Sequence, residues 1–515
     1  MNVPFTLKHF LDRAALVAAD EVALVDEPGS PADLGTITWS QLASRATGMA
    51  LALEELGIAP GERVAIVSPN SGAMLVSFFG VAGHGRVLVP INFRLSAVEI
   101  AYIVEHSGAR VLLFDPELAD EVDGIAVEHA ICLDASALRT LFAPAAPGRL
   151  PAAVELSEED TATINYTSGT TARPKGVQLT HRNLWTNATA FGWHMTITPD
   201  DVLLHTLPLF HVNGWGVPFA LAGMGGRNVM LRKVDGEEIL ERVEREGVTL
   251  LCGAPAVVAM ILTAAQSRHA TGRVVPGRGA VRMVVAGAPP PSAVIEQFEE
   301  LLGWEFIQIY GLTETSPLLT VNRAPKSWAK LDASERATRL SRAGVPAIGV
   351  EVAIDAEGEV LARSNHVFAG YWEQPEATAQ AIRGGWFHTG DGGYLDRAYT
   401  VISDRKKDVI ITGGENVSSI EVEDVLFRHA AVAECCVIGV PDEKWGETVL
   451  ALVVLREGAQ ASESDLIAHC RELMAHFKCP TRVEFRSELA RTATGKLQKF
   501  ILRAPYWEGR EKLVN

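Results

Sequence analysis

The chain has 515 residues and a formal net charge of −17, which is too long for a single core and too acidic for a nucleic-acid binder, since no basic excess can replace phosphate counterions. Its 48% apolar and 21% charged residues describe a globular protein and exclude a disordered one. No uncharged apolar run reaches membrane-spanning length.

Lys8, Asp12, Arg13 and Asp20 interrupt the first twenty positions, so no signal-peptide core is expected there. Apolar runs then alternate with helical patterns: strands at 63–68, 86–91 and 110–114 enclose helices at 71–82 and 98–105. The rhythm returns with strands at 248–252, 281–286 and 306–310 and helices at 256–265 and 292–302. Such alternation implies an α/β fold of parallel βαβ units, in more than one doubly wound sheet. Ligands of such sheets sit beyond the carboxyl ends of the strands. The character changes near residue 404, where Asp404-Arg405-Lys406-Lys407-Asp408 makes a dense charge run. A solvated turn is the common fate of such a run; at a domain boundary it also suits a hinge. Beyond it, Ser418 and Glu421 form a capping-box pattern, and Leu466, Ile467, Cys470, Leu473, Met474 and Phe477 form an amphipathic stripe. The expected organisation is a large domain over 1–404, a hinge at 405–408 and a small mobile α+β domain over 409–515. The six cysteines show no CxxC spacing and no paired His ligands, which points to reduced thiols and a cytoplasmic protein. The final Leu513-Val514-Asn515 does not match a peroxisomal address.

The strongest chemical signal is Tyr166-Thr167-Ser168-Gly169-Thr170-Thr171-Ala172-Arg173-Pro174-Lys175-Gly176, after a strand at 161–165 and before a helix that Thr180 can cap. Hydroxyls, glycine amides and one lysine in a short loop suit a polyphosphate. It is not a Walker A loop, because Pro174 precedes Lys175 and Gly176 follows it, so a Mg²⁺ must be held from elsewhere.

From this loop onward the chain resembles the acyl-adenylate-forming enzymes, in their acyl-CoA synthetase branch. Pro208-Leu209-Phe210-His211 resembles the family's aromatic gate, Tyr310-Gly311-Leu312-Thr313-Glu314-Thr315 its YGxTE motif, and Gly344-x-Pro346-x-x-Gly349 a structural turn. Trp386-Phe387-His388-Thr389-Gly390-Asp391 resembles the ribose motif, Asp404 to Lys407 the hinge, Gly413-Gly414-Glu415-Asn416 the loop after it, and Thr492-Ala493-Thr494-Gly495-Lys496 the terminal lysine motif. With that loop, these seven motifs follow the family's order and span residues 166–496.

The resemblance implies an ATP-dependent acid–CoA ligase that forms an acyl-adenylate, releases pyrophosphate and passes the acyl group to coenzyme A, with Mg²⁺ as cofactor. It places Thr167, Ser168, Gly169, Thr170, Thr171 and Lys175 on the phosphates, and Gly287, Ala288, Gln308, Tyr310, Gly311 and Thr313 around the adenine. Asp391 and Arg405 fall on the ribose, and Thr167 and Glu314 at the metal, for which a carboxylate is a suitably hard donor. Lys496 would stabilise charge on the reacting carboxylate, α-phosphate and leaving pyrophosphate, with Glu314, His211 and Lys175 completing the catalytic set. Lys407 would be the pivot, and Gly413 and Gly414 would receive the pantetheine arm. His211, Trp215, Gly216 and Gly287 would line the acyl pocket, where an indole shortens the tunnel and, with the small Gly287-Ala288 pair, favours a short or medium chain, including branched, aryl or thioether-bearing acids; core packing of Trp215 is the equal alternative. Taken alone, Glu314 reads as a helix-cap partner, Asp391 as a turn residue and Lys496 as a solvated helix-start lysine. After Tyr394-Leu395-Asp396 the family's turn glycine is replaced by Arg397-Ala398, which puts that hairpin in doubt. Three other functions compete: carrier-protein loading, a silent nucleotide-binding scaffold and a luciferase-like monooxygenase. The expected partners are the acid, ATP and CoA, with no nucleic acid and no membrane span; a homodimer is compatible with all of this.

Overall fold

The computed structural model describes residues 2–167, 174–287, 290–405, 408–413, 415–442, 444–491 and 497–508, with the Arg405 side chain left out. Two large sheets carry most of the chain. One has seven strands, and its central strands Thr161–Thr167, Val87–Ile91, Arg63–Val67, Ala109–Phe114 and His129–Cys132 run parallel. The other has nine, with a parallel centre formed by Glu305–Gly311, Arg282–Val285, Leu250–Gly253, Val202–Leu204, Arg227–Val229 and Val22–Val25. The expected doubly wound α/β architecture is therefore present.

Local chemistry explains the elements. Val87–Ile91 is buried at every position, as a strand covered on both faces must be. The Gly72–Gly80 helix is buried all round and starts where the Ser71 side chain accepts from the Met74 amide. Thr180 caps the His181–Met195 helix through a reciprocal box with Asn183. Both large sheets share one apolar cluster that includes Trp39, Phe78, Phe79, Phe191 and Phe219, and each fully buried side chain of this size contributes about 1.5–3 kcal/mol.

A third sheet joins Val350–Ile354, Glu359–Ser364, Trp386–Asp396 and Ile382–Arg383, with Tyr399–Arg405 paired to Trp386–Asp396. The last part of the chain builds its own sheet from Ile410–Thr412, Glu415–Val417, Val432–Asp442, Gly446–Leu455 and Arg482–Phe485. Val422, Leu426, Val437, Leu466 and Cys470 form a separate core there, giving a small α+β unit after the large one.

Three sequence expectations need correction. Ser418 does cap the Ser419–Phe427 helix, but Glu421 turns its carboxylate to Lys478 at 2.8 Å, so the capping box is half-made. The amphipathic helix ends at Leu473, because Met474 is extended; Phe477 then lies in a short 3₁₀ turn, partly exposed. The hairpin after Asp396 forms despite its missing glycine, with Asp396 opposite Tyr399 and Arg397 at φ 58°. Arg342 holds it closed, 2.5 Å from the Asp396 carboxylate and with its guanidinium over the Tyr399 ring, which offsets the cost of a left-handed non-glycine residue.

Candidate active site

The phosphate-loop motif joins two antiparallel strands, and the expected Thr180-capped helix follows the second: Thr161–Thr167 pairs with Lys175–Thr180, a strand which the sequence reading did not anticipate. Thr167 and Lys175 stand opposite each other at the mouth of that hairpin. Ser168, Gly169, Thr170 and Thr171 lie outside the described residues, as do Ala288, Lys407, Gly414 and Lys496.

On the neighbouring sheet, Glu305–Gly311 delivers Gln308 and Tyr310 to one face and leads into the short turn Thr313–Thr315 that carries Glu314. Gly311 must be glycine, since a Cβ there would lie 1.5 Å from the Pro317 carbonyl oxygen. The adjacent parallel strand Arg282–Val285 ends just before Gly287, which takes φ 98°. Gln308 is 4% exposed, and its Oε1 accepts no hydrogen bond among the described residues. A buried acceptor without a donor is costly, and the exocyclic amine of an adenine would supply one. Tyr310 donates its hydroxyl to Asp391 Oδ2 at 2.7 Å. Asp391 is buried, lies opposite Arg405 in the ladder, and follows Thr389, whose hydroxyl receives the Asp391 amide.

The two halves of the site are linked by Tyr371, which the sequence reading passed over. Its hydroxyl donates to Glu314 Oε1 at 2.9 Å, and the Lys175 ammonium sits 4.7 Å from its ring centre. Burial and then the Glu314 carboxylate push the phenol's pKa up, keeping it a donor. The sequence signal was Gly370-Tyr371-Trp372 between two recognised motifs, but the contact spans the distance from residue 314 to 371 and leaves no local periodicity.

The gate segment has unusual backbone. Val212, Asn213, Gly214 and Trp215 all have positive φ, at 39°, 45°, 59° and 61°, conformations that cluster at functional sites. Asn213 is fully buried and donates to Thr163 Oγ1 at 2.9 Å. Asn187, also missed, donates to the Trp215 carbonyl at 3.1 Å and accepts from the Leu318 amide at 3.1 Å, so it ties this turn to the segment after Glu314. Gly216 is required for that bond, because a Cβ would meet Asn187 Nδ2 at 2.4 Å. His211 is half-buried at the head of the turn, and Trp215 packs at 4% exposure in the main core cluster. In the C-terminal unit, Gly413 donates its amide to the Trp445 carbonyl and takes φ 60°.

A model of the AMP-binding enzymes matches residues 11–372, and a model of their C-terminal domain matches residues 421–496. The chain belongs to the AMP-binding enzyme family. This AMP-binding enzyme is 37% identical to a 2-methylpropanoate–CoA ligase from Humulus lupulus, covering 97% of this chain and 95% of the relative. It is 36% identical to a 4-hydroxybutyrate–CoA ligase from Metallosphaera sedula, covering 96% and 93%. Among solved structures it resembles an anthranilate CoA ligase in complex with anthranoyl-AMP, with TM-score 0.86, 28% identity and 98% of each chain covered. Like these relatives, this AMP-binding enzyme is an AMP-forming acid–CoA ligase. Among the described residues no helix is long and apolar enough to cross a membrane.

Proposed function

We propose that the enzyme activates a short-chain or compact branched or aryl acid, using the residues above in defined roles. The observation that supports the assignment of roles is the pair of contact sets Lys175–Tyr371–Glu314 and Tyr310–Asp391, which involve residues from four distant segments of the chain. Gly287, Gln308 and Tyr310 receive the adenine and Asp391 the ribose diol. Lys175 faces the phosphates. Thr167 and Glu314 offer the hard oxygen donors that suit Mg²⁺. When bound, the ion supplies charge neutralisation on the phosphates.

In the first half-reaction a carboxylate oxygen attacks the α-phosphorus and pyrophosphate leaves. Lys496 stabilises the charge that builds between them. In the second, the CoA sulfur attacks the acyl carbon and AMP leaves with its bridging oxygen. The Gly413-Gly414 loop admits the pantetheine, and rotation of the C-terminal domain about Lys407 exchanges the two sets of groups. We place the large domain at 1–404 and the mobile one at 409–515. The cysteines at 132, 252, 435, 436, 470 and 479 are all free thiols, which fits a reducing compartment, and we read that as the cytoplasm; one Arabidopsis thaliana relative, a butyrate–CoA ligase, is named as peroxisomal.

The size of the acid is inferred from Trp215 and from relatives named for 2-methylpropanoate, 4-hydroxybutyrate and butyrate. A panel of acids assayed for CoA-dependent AMP release tests it. Butyrate or 2-methylpropanoate is expected to give the highest kcat/KM, and Trp215→Ala to move the optimum to longer acids. An unchanged profile with a lower melting temperature would assign Trp215 to the core alone.

A further inference from the structure

Lys175 opens a strand of the seven-stranded sheet, and Glu314 lies on the short turn that follows a strand of the nine-stranded one. The segment from Phe368 to Trp372 is bound to both. The Phe368 amide donates to the Glu314 carbonyl at 2.8 Å, and the Trp372 amide donates to the Gly176 carbonyl at 2.7 Å. Between them Gly370–Tyr371 adds a short antiparallel strand to Lys175–Thr180, in register with Gln178 and Val177. Tyr371 is itself braced: its amide donates to Thr378 Oγ1 at 2.9 Å, and Phe368 meets its ring edge-on at 4.8 Å. From this fixed base its hydroxyl reaches Glu314 and its face reaches Lys175.

We propose that Tyr371 is a positioning residue for the nucleotide site, its hydroxyl aiming the Glu314 carboxylate at the metal and its ring carrying the Lys175 ammonium toward the phosphates. This rests on the reading of Glu314 as the metal carboxylate and Lys175 as the phosphate cation. The physical logic is division of labour on one carboxylate. The phenol occupies part of Oε1 and leaves Oε2 for a cation. A carboxylate held in one rotamer binds a metal without first losing its freedom, so the hydroxyl contributes through pre-organisation. The ring contributes separately, because an ammonium over an aromatic face is attracted to its quadrupole.

The two contributions can be separated by binding measurements that do not require turnover. Calorimetric titration with a non-hydrolysable ATP analogue, with Mg²⁺ and with EDTA, is the readout. Tyr371→Phe keeps the ring and loses the hydroxyl. It is expected to weaken binding about tenfold when Mg²⁺ is present and to raise the Mg²⁺ needed for half-maximal binding about as much, with binding in EDTA unchanged. Tyr371→Leu loses the ring as well and is expected to weaken binding in EDTA too. Combined with Glu314→Gln, Tyr371→Phe is expected to add nothing further, since both act on one carboxylate. Equal weakening with and without Mg²⁺, or additivity with Glu314→Gln, overturns the proposal. If Glu314→Gln alone leaves the Mg²⁺ dependence unmoved, the metal reading of Glu314 is wrong and the proposal falls with it; if only Tyr371→Phe is silent, the proposal alone fails.

Discussion

Tyr310→Phe isolates one hydrogen bond at the ribose end of the site. The substitution keeps the ring that would stack on adenine and removes the hydroxyl that donates to Asp391 Oδ2 at 2.7 Å. Asp391 is 6% exposed, so water has little access to replace the lost donor. Its backbone stays pinned by the ladder to Arg405 and by the Thr389 hydroxyl, which confines the damage to the carboxylate's orientation. A hydrogen bond to a charged group contributes about 1.5–3 kcal/mol net, so ATP affinity is expected to fall roughly tenfold to hundredfold. A carboxylate has about four acceptor sites and the phenol takes one of them, so removing it loosens the group rather than freeing it. Acid-dependent pyrophosphate exchange reads this as a raised KM for ATP with the KM for the acid unchanged. If Asp391→Ala abolishes ATP use while Tyr310→Phe leaves the ATP KM the same or lower, the hydroxyl competes with the ribose and the orienting role is wrong.

Lys496→Ala is expected to abolish adenylation by several hundredfold or more (about 4 kcal/mol, the upper end for one lost oxyanion donor) while sparing thioester formation from supplied acyl-adenylate; equal loss in both would make Lys496 structural. Lys407→Pro fixes one φ angle at the proposed pivot and is expected to slow the two half-reactions unequally in single-turnover assays, whereas parental rates in both would relocate the hinge. Burial lowers the pKa of His181 and His205 from 6.5 to about 4, chiefly by desolvation. Because the unfolded chain then binds more protons than the native one below pH 6.5, their stabilisation is present above that pH and is lost as pH falls toward 4. Each contributes on the order of 3 kcal/mol over that window, so the melting temperature is expected to be flat above pH 7 and to drop steeply below 6.5; a flat profile to pH 4.5 would contradict the burial argument.

What could be read in the sequence was what local chemistry determines. The Ser292–Leu302 helix is legible from its apolar periodicity, and its ends agree with the structure, where Pro291 precedes it and Gly303 ends it in the left-handed region. The loop ending at Lys175 was legible as a donor set suited to a polyphosphate, whereas Tyr310 and Asp391 were assigned to a nucleotide through the family resemblance. The Lys175–Thr180 strand was not legible, because Pro174-Lys175-Gly176 reads as loop and only Val177 and Leu179 alternate into the core. Tyr371 and Asn187 were invisible for a different reason. Each does its work through a partner far along the chain, Glu314 for one and Leu318 with Trp215 for the other, and periodicity carries no trace of such contacts. The turn at Arg397 shows the converse: a missing glycine was legible, but its compensation by Arg342 required the fold.

The central claim is that the acid is activated as an adenylate before it meets CoA, and oxygen labelling tests it most directly. The acid is supplied with both carboxylate oxygens as ¹⁸O, together with unlabelled ATP, Mg²⁺ and CoA, and the products are weighed by mass spectrometry. Attack of a carboxylate oxygen on the α-phosphorus makes it the bridge of the acyl-adenylate, and CoA attack at carbon leaves it on phosphorus. The account predicts AMP carrying one labelled oxygen, unlabelled pyrophosphate and a thioester retaining the other. Label in inorganic phosphate with ADP as co-product, or AMP free of label, would contradict it.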